Sequence, residues 1–354
     1  MVHYSNRHYH YVSITLHVLI VILRLSSHSS VAAEARKSTN HKSNVAILVS
    51  SSTFFHNYRH TTNTLAMYQA LKKHGGFTDD NIILFLADEV ACNARNPFKN
   101  TVYPYSDHEL NLYDEDVEVD YIGSDVTVEN LWRVLLGRHD TYTPSNQRLL
   151  LKDIENTNLF LYITGHGGDN FFKFRDQEDF STEDLRGAFD QLQIMQRFNS
   201  VLFVADTCQA FTLAPNTPEM NNNSDLFLKN VYSIGTSLKG ESSYAHHTDK
   251  NIGHSVMDRY VYHFINFMGS LDDNDGKGNK KWHQMNKMSI KEAMIDSMYS
   301  NRGSGKKLGV DLGWTDFGCD AGINEVPLSE FLVMKQEVVD SDVELVLDQV
   351  DFFS

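Results

Sequence analysis

The chain is poor in cysteine and in positive charge, and it has almost no long apolar run. Three cysteines in 354 residues, Cys92, Cys208 and Cys319, are too few for a disulfide scaffold. Their odd number leaves at least one thiol for another purpose. Lysine and arginine total 31 against 46 acidic residues, a net charge of −15. That balance excludes a nucleic-acid binder of the usual basic kind. No internal repeat is present, which excludes a solenoid. The apolar stretch Tyr11–Leu25 falls short of the roughly 20 residues that a bilayer span needs, and His17 interrupts it. What is present is a 41% hydrophobic composition over a length ample for a core, so wholesale disorder is excluded.

Residues 1–33 contain Arg7 and Arg24 and no acid, then the apolar stretch, then small residues ending in Val31-Ala32-Ala33. This is the pattern of a secretory signal, with cleavage expected near Ala32 or Ala33; an uncleaved signal anchor is the alternative. Loss of Arg7 and Arg24 takes the net charge from −15 to −17. Residues 34–43 read as a linker. No second apolar run of bilayer length follows, and the terminal Asp-Phe-Phe-Ser is not a retrieval signal of the Lys-Asp-Glu-Leu type. A luminal mature chain with no transmembrane helix is therefore expected.

Beyond the linker, apolar strands alternate with helices. Asn44–Ser51, Asn81–Ala87, Asn158–Thr164, Ser200–Ala205 and Asn230–Gly235 are short runs rich in β-branched and aliphatic residues, expected to form buried strands. Helices are expected over Tyr58–His74, stopped by Gly75-Gly76, and over Val126–Leu136, where Thr127 suits a cap. Two more are expected over Ser181–Arg197, opened by a Ser-Thr-Glu-Asp capping signal, and Ser255–Met268. Residues 88–125 form a long acidic insertion. The pattern implies an α/β fold with a mostly parallel sheet covered on both faces. Residues 301–354 are poorly patterned.

In such sheets sites form at the carboxyl ends of strands. Two strand ends here carry reactive groups: Thr164-Gly165-His166-Gly167-Gly168 and Asp206-Thr207-Cys208-Gln209. If the strands are neighbours, an imidazole meets a thiol. His166 would take the Cys208 proton and later return it to a leaving amine. Glycines beside the histidine let backbone N–H groups approach an oxyanion, with the N–H of Gly167 and that of Cys208 as donors. Taken singly, each residue also fits a blander role, a buried structural thiol or a loop histidine.

Together with Phe55-His56-Asn57-Tyr58-Arg59-His60, Leu86-Ala87-Asp88-Glu89-Val90-Ala91-Cys92-Asn93 and Val117-Glu118-Val119-Asp120-Tyr121, these segments resemble the legumain-type cysteine peptidases. The resemblance spans roughly residues 44–268. Gly-His-Gly-Gly and Asp-Thr-Cys-Gln are similar to the branch formed by catalytic subunits of glycosylphosphatidylinositol (GPI) transamidases. It implies a caspase-like three-layer α/β/α sandwich over residues 44–300, with Cys208 as nucleophile, His166 as base and Asn57 as third catalytic residue. It also implies a substrate pocket with Arg59, Thr236, Ser237 and Glu241, although Arg59 reads equally as a surface helix charge. The implied reaction cleaves a proprotein's C-terminal signal peptide through a thioester and passes the new end to the amine of a GPI lipid donor. A legumain-like endopeptidase cutting after Asn or Asp is the alternative enzyme, and a silent scaffold the alternative outside enzymes. The resemblance implies residence in the endoplasmic reticulum lumen, peripheral to the membrane through other transamidase subunits, and no nucleic acid partner.

The resemblance also bears on Cys92 and on one group of acids. Cys92 matches a cysteine that bridges to a partner subunit; a free thiol, or a bond to Cys319, is the alternative. Asp79, Glu118, Asp120 and the Ile82 carbonyl match a structural calcium site, since hard oxygen ligands suit calcium; a solvated acidic face is the alternative. No cofactor is implied for the chemistry itself. Asn222-Asn223-Ser224 is a glycosylation sequon. Asp272–Gly276 fails the EF-hand register and reads as a polar loop.

Overall fold

The computed structural model describes residues 44–149, 151, 156–216, 228–269, 287–292 and 322–332. The signal segment 1–33, the linker 34–43, the sequon at Asn222, the 272–276 loop and Cys319 lie outside the described residues.

Five continuous apolar runs build the centre of one sheet: β1 (Val45–Ser50), β2 (Ile82–Leu86), β4 (Asn158–Thr164), β8 (Ser200–Asp206) and β9 (Val231–Gly235). A two-residue strand, β3 (Tyr121–Ile122), completes the order β3-β2-β1-β4-β8-β9, and every pairing is parallel. These strands are buried on both faces, which is why they read as unbroken apolar runs rather than as alternation. Within β1, Ala46 and Leu48 face one core while Val45, Ile47 and Val49 face the other.

The first core is roofed by α1 (Tyr58–His74) and α4 (Arg259–Gly269), the second by α2 (Val128–Leu136) and α3 (Thr182–Ile194). This is the α/β/α sandwich the sequence led us to expect. Thr127 caps α2, its hydroxyl accepting the Asn130 N–H at 3.1 Å. Ser181 and Asp184 form the capping box of α3. A small antiparallel sheet, β5 (Gly167–Gly168), β6 (Phe171–Phe174) and β7 (Glu178–Ser181), carries Phe172, Phe174 and Phe180 into the second core.

Two local expectations are corrected. The helix expected over 255–268 starts only at Arg259, because Ser255–Asp258 forms β11, paired antiparallel with β10 (Ala245–Thr248). The helix expected to run to Arg197 ends at Ile194, where Gln196 takes a positive φ of 51°. In addition, residues 322–332 return to the sheet. Ile323, Leu328, Phe331 and Leu332 are buried in the first core, and the Glu330 carbonyl accepts the Asn44 and Asn158 side-chain amides. The acidic insertion is tied down from both sides. Tyr58 OH accepts the Tyr103 N–H at 2.7 Å, and His108 Nε2 lies 2.8 Å from Asp249.

The strand order reverses direction between β1 and β4. Chain from β1 proceeds outward through β2 and β3; chain from β4 proceeds the other way. The crevice beyond the carboxyl ends at such a switch is where doubly wound sheets place ligands.

Candidate active site

The chain leaves β1 through Ser51-Ser52-Thr53-Phe54 and a single 3-10 turn, Phe55–Asn57, and leaves β4 through Gly165-His166. These two exits flank the switch point. His166 Nε2 lies 3.0 Å from Asn57 Oδ1, and Asn57 Nδ2 donates to the Thr53 carbonyl at 2.7 Å. A carbonyl can only accept, so the Asn57 amide is oriented with its oxygen toward the ring. Nε2 must then carry the proton, and in the neutral imidazole Nδ1 keeps the free lone pair. Burial lowers the His166 pKa, and the Arg59 guanidinium lowers it further, so the ring is held ready as a base. Behind it, the buried His60 packs edge-on with its centroid 5.2 Å away. Burial holds His60 well below the usual histidine range, and its Nδ1 lies 2.8 Å from Ser52 Oγ.

Cys208 follows the neighbouring strand. Thr164 of β4 pairs with Asp206 of β8, so His166 and Cys208 each sit two residues past the last paired position. Thr207 Oγ1 donates to the Gly165 carbonyl at 2.9 Å and ties the two exits together. A Cβ on Gly167 would lie 2.7 Å from Thr207 Oγ1, so only glycine fits this close approach. The turn after Cys208 is fixed by its own N–H groups. Gln209 N donates to Glu241 O, Ala210 N to Ser237 Oγ, and Phe211 N to Ser237 O. Gln209 itself has φ 52°, the left-handed strain that often marks a functional turn. Among the described residues the Cys208 N–H has no such acceptor, and the half-buried thiol forms no disulfide. A thiol, a neutral base with a fixed tautomer and a spare backbone donor at adjacent strand ends are the parts of a nucleophilic acyl-transfer site.

Residues 44–302 match the Peptidase C13 family. The chain belongs to that family. This C13 chain is similar to the GPI-anchor transamidase of Saccharomyces cerevisiae, 42% identical over 255 residues, covering 72% of this chain and 59% of the relative. It is 42% identical over 258 residues to the Schizosaccharomyces pombe GPI-anchor transamidase (73% and 64% covered) and 40% identical over 261 residues to the human one (72% and 63%). The chain thus spans about six-tenths of the length of the curated relatives it matches. Among solved structures, caspase-1 from Spodoptera frugiperda aligns with 71% of this chain and 81% of its own, at 9% identity and a TM-score of 0.36.

The C13 site has a second, buried layer that the sequence reading missed. Asp206, two residues before Cys208, accepts hydroxyls from Thr236 (2.8 Å), Ser243 (3.1 Å) and Tyr162 (3.0 Å). Asp258 receives the Asn63 amide at 2.6 Å and lies 3.1 Å from Arg59 Nε, an ion pair without an aligned hydrogen bond. Burial raises both carboxyls, and the Asp258 charge raises Asp206 further; Arg59 and the Asn63 amide oppose the rise at Asp258. The signal was available: Arg59 and Asn63 are four apart on α1 and share a face. Arg59 is therefore not a free surface charge. Thr236 and Ser237 spend their hydroxyls on Asp206 and on the Thr207 carbonyl, and the Glu241 carboxylate accepts the Leu238 N–H at 2.8 Å. Those residues shape the turn that carries Cys208.

Of the residues expected to hold calcium, Asp79 is paired with an ammonium. Lys72 Nζ lies 2.9 and 2.8 Å from the two Asp79 carboxylate oxygens, and Tyr68 OH also donates to Asp79. Asp120 Oδ2 accepts the Leu84 N–H at 2.8 Å; burial pushes its pKa up to about 7, with Glu118 and Asp79 adding to the rise. Among the described residues no three acidic, histidine or cysteine side chains converge at metal-ligand spacing. Cys92 is exposed and free among the described residues, with Sγ 3.8 Å from Asn100 Oδ1. No described helix is long and apolar enough to cross a membrane.

Proposed function

We propose that this chain is the thiol-bearing catalytic subunit of a GPI-anchor transamidase. The observation that carries this is the oriented Asn57–His166 pair, which leaves one basic nitrogen for the thiol at the adjacent strand end. Similarity to curated GPI-anchor transamidases over most of the chain supplies the reaction class.

His166 Nδ1 takes the Cys208 proton as sulfur adds to the carbonyl at the attachment site of a proprotein's C-terminal signal. The N–H groups of Cys208 and Gly167 hold the oxyanion. Collapse expels the signal peptide, whose new amine receives the proton from His166, and leaves a thioester on Cys208. The ethanolamine amine of a GPI lipid then attacks the thioester and gives its proton to His166. Sulfur departs and is reprotonated, and an amide joins protein to lipid. This chemistry asks for no cofactor. Arg59 and the buried Asp206–Asp258 layer shape the pocket beside the reacting carbonyl. Water must lose to the amine at the thioester, so partner subunits that cover the site and present the lipid belong to the reading. They would hold the chain at the luminal face of the endoplasmic reticulum membrane, with Cys92 the bridging thiol to one of them. Cys92→Ser should abolish a higher-mass band on nonreducing gels.

The test is rescue of cells lacking the endogenous subunit. Wild type should restore GPI attachment and Cys208→Ala should not. Attachment restored by Cys208→Ala would overturn the reading.

A further inference from the structure

An oxyanion held by the N–H groups of Gly167 and Cys208 draws on two segments that leave different strands. Whatever ties those segments together sets the separation of the donors. In the β5–β6 ladder Gly167 lies opposite Phe172, and the Lys173 N–H donates to the His166 carbonyl at 2.9 Å. That bond marks 167 and 172 as a non-hydrogen-bonded pair, so the Gly167 N–H points out of the ladder. Among the described residues neither it nor the Cys208 N–H has an acceptor, whereas the N–H groups of Gln209, Ala210 and Phe211 are all taken. Two ties join the segments. The Thr207 hydroxyl bonds the Gly165 carbonyl, on the strand side of His166. The second lies beyond Gly167, at Thr212.

Thr212 Oγ1 accepts the Asn170 N–H at 2.8 Å. The same oxygen lies 2.8 Å from the Gln209 carbonyl oxygen and 3.2 Å from the Gly168 carbonyl oxygen. An N–H can only donate and a hydroxyl has one proton, so Oγ1 receives from Asn170 and gives its proton to one of the two carbonyls, of which Gln209 is the nearer. One hydroxyl thus stands between the residue after Gly167 and the residue after Cys208. The backbones on either side of it are fixed independently. The Thr212 N–H donates to the Gln209 carbonyl at 2.9 Å, and the Thr212 carbonyl accepts the Thr182 hydroxyl at 2.8 Å. Asn170, at φ 66°, accepts the Thr182 N–H on its carbonyl at 3.1 Å. Thr182, the first residue of α3, holds both flanks, and the Thr212 hydroxyl closes the gap between them.

We infer that Thr212 is a positioning residue for the acyl transfer, its hydroxyl holding the Gly167 and Cys208 N–H groups at the separation that a tetrahedral oxyanion needs. This role rests on the acyl-transfer reading above and deepens it. The hydroxyl is committed to backbone groups on both sides, so it acts through the two donors rather than on the reacting atoms. Valine keeps the shape of threonine but can neither accept from Asn170 nor donate to a carbonyl. It leaves the Gly167–Gly168 loop tied to the Cys208 turn only by Thr207. Both the formation and the breakdown of a thioester pass through an oxyanion, so both steps feel a misplaced donor.

The experiment uses the membrane-embedded complex and compares two reactions of the same thiol. In the first, proprotein is turned over with hydrazine as the acceptor amine, and the proprotein hydrazide is measured. In the second, iodoacetamide alkylates Cys208, read on the Cys208 peptide by mass spectrometry. Alkylation needs the thiol and its base but forms no oxyanion. Thr212→Val should lower kcat for the hydrazide about tenfold to fiftyfold, less than the loss of a whole oxyanion donor. The KM for proprotein and the alkylation rate should stay within about twofold of wild type, which also reports that the site is folded. Thr212→Ser, which keeps the hydroxyl, should restore kcat. An unchanged kcat in Thr212→Val, a fall in alkylation equal to the fall in kcat, or a Thr212→Ser as slow as Thr212→Val would each overturn the role. Cys208→Ala is the separate control. If it forms hydrazide, the acyl-transfer reading fails, whatever Thr212 does.

Discussion

The two ends of the central sheet solve the same problem with different chemistry. At the amino end, buried and half-buried asparagine amides donate mainly to backbone carbonyls. Asn44 and Asn158 donate to Glu330 O, Asn199 donates to Asn158 Oδ1 at 3.0 Å, and Asn230 donates to Asn199 O at 3.0 Å. At the carboxyl end ionisable groups join the neutral ones: buried His60, Asp206 and Asp258 and half-buried His166, with Arg59 beside them. Neutral amides hold strands and do nothing else. Ionisable groups buried at a cost in solvation can move protons, and the left-handed residues Phe54 and Gln209 also lie at that end. A cleft of about 420 Å³ does open at the amino end, lined by Phe189, Leu192, Phe198 and Asn199 among others, but among the described residues Lys229 is the one ionisable side chain lining it. A cavity alone does not mark the site; the company of titratable groups does.

The same substitution at each end separates the two most sharply. Asn57→Ala frees the imidazole to take the wrong tautomer, and kcat should fall by about 10² to 10⁴ with little change in melting temperature. Asn199→Ala removes one amide contact at the amino end. It should cost roughly 1 kcal/mol of stability in denaturant melts and leave kcat unchanged. If Asn199→Ala were the more damaging to catalysis, the contrast would be wrong. Next in size, Gly167→Ala drives a methyl into Thr207 Oγ1 and should lower kcat by about 10-fold to 10³-fold by displacing an oxyanion donor. Its KM should move less.

Much of this contrast was legible in the sequence. The five long strands announced themselves because burial on both faces demands unbroken apolar runs, and the reactive residues stood immediately after two of them. What was hidden depended on contacts distant in sequence. β3 has two residues, and β10 reads Ala-His-His-Thr with neither an apolar run nor an alternation, so neither shows a strand pattern until its partner is in place. Asp258 reads as an ordinary acid before a helix; only the fold buries it against Asn63, 195 residues away. Thr236, Ser237 and Glu241 were expected to line a substrate pocket, and nothing in the sequence marked them as the hydrogen bonds that fix the turn after Cys208. Residues 322–332 carry too little periodicity to be placed, yet Leu328 and Leu332 are fully buried.

Smaller effects concern charge. Burial lowers the His166 pKa, with Arg59 adding to it, so Arg59→Gln should move the acid limb of kcat/KM to higher pH, toward the usual histidine value. An unshifted limb would remove Arg59 from the electrostatics of the base. Smallest, and away from the site, is Asp120. Its folded pKa of about 7 exceeds the ordinary 3.8, so the folded state holds an extra proton between those values. Stability attributable to this group should therefore fall as pH rises from about 4 to about 7 and stay lost above that. Asp120→Asn should flatten that slope in melting curves.

The most direct test is the covalent state of Cys208 during turnover. A complex stalled with proprotein and no lipid amine should carry the processed proprotein on Cys208 as a thioester. Mass spectrometry should find it there, and hydrazine should discharge it as the hydrazide. Release of the signal peptide with no acyl group on Cys208, or release that persists in Cys208→Ala, would contradict the account.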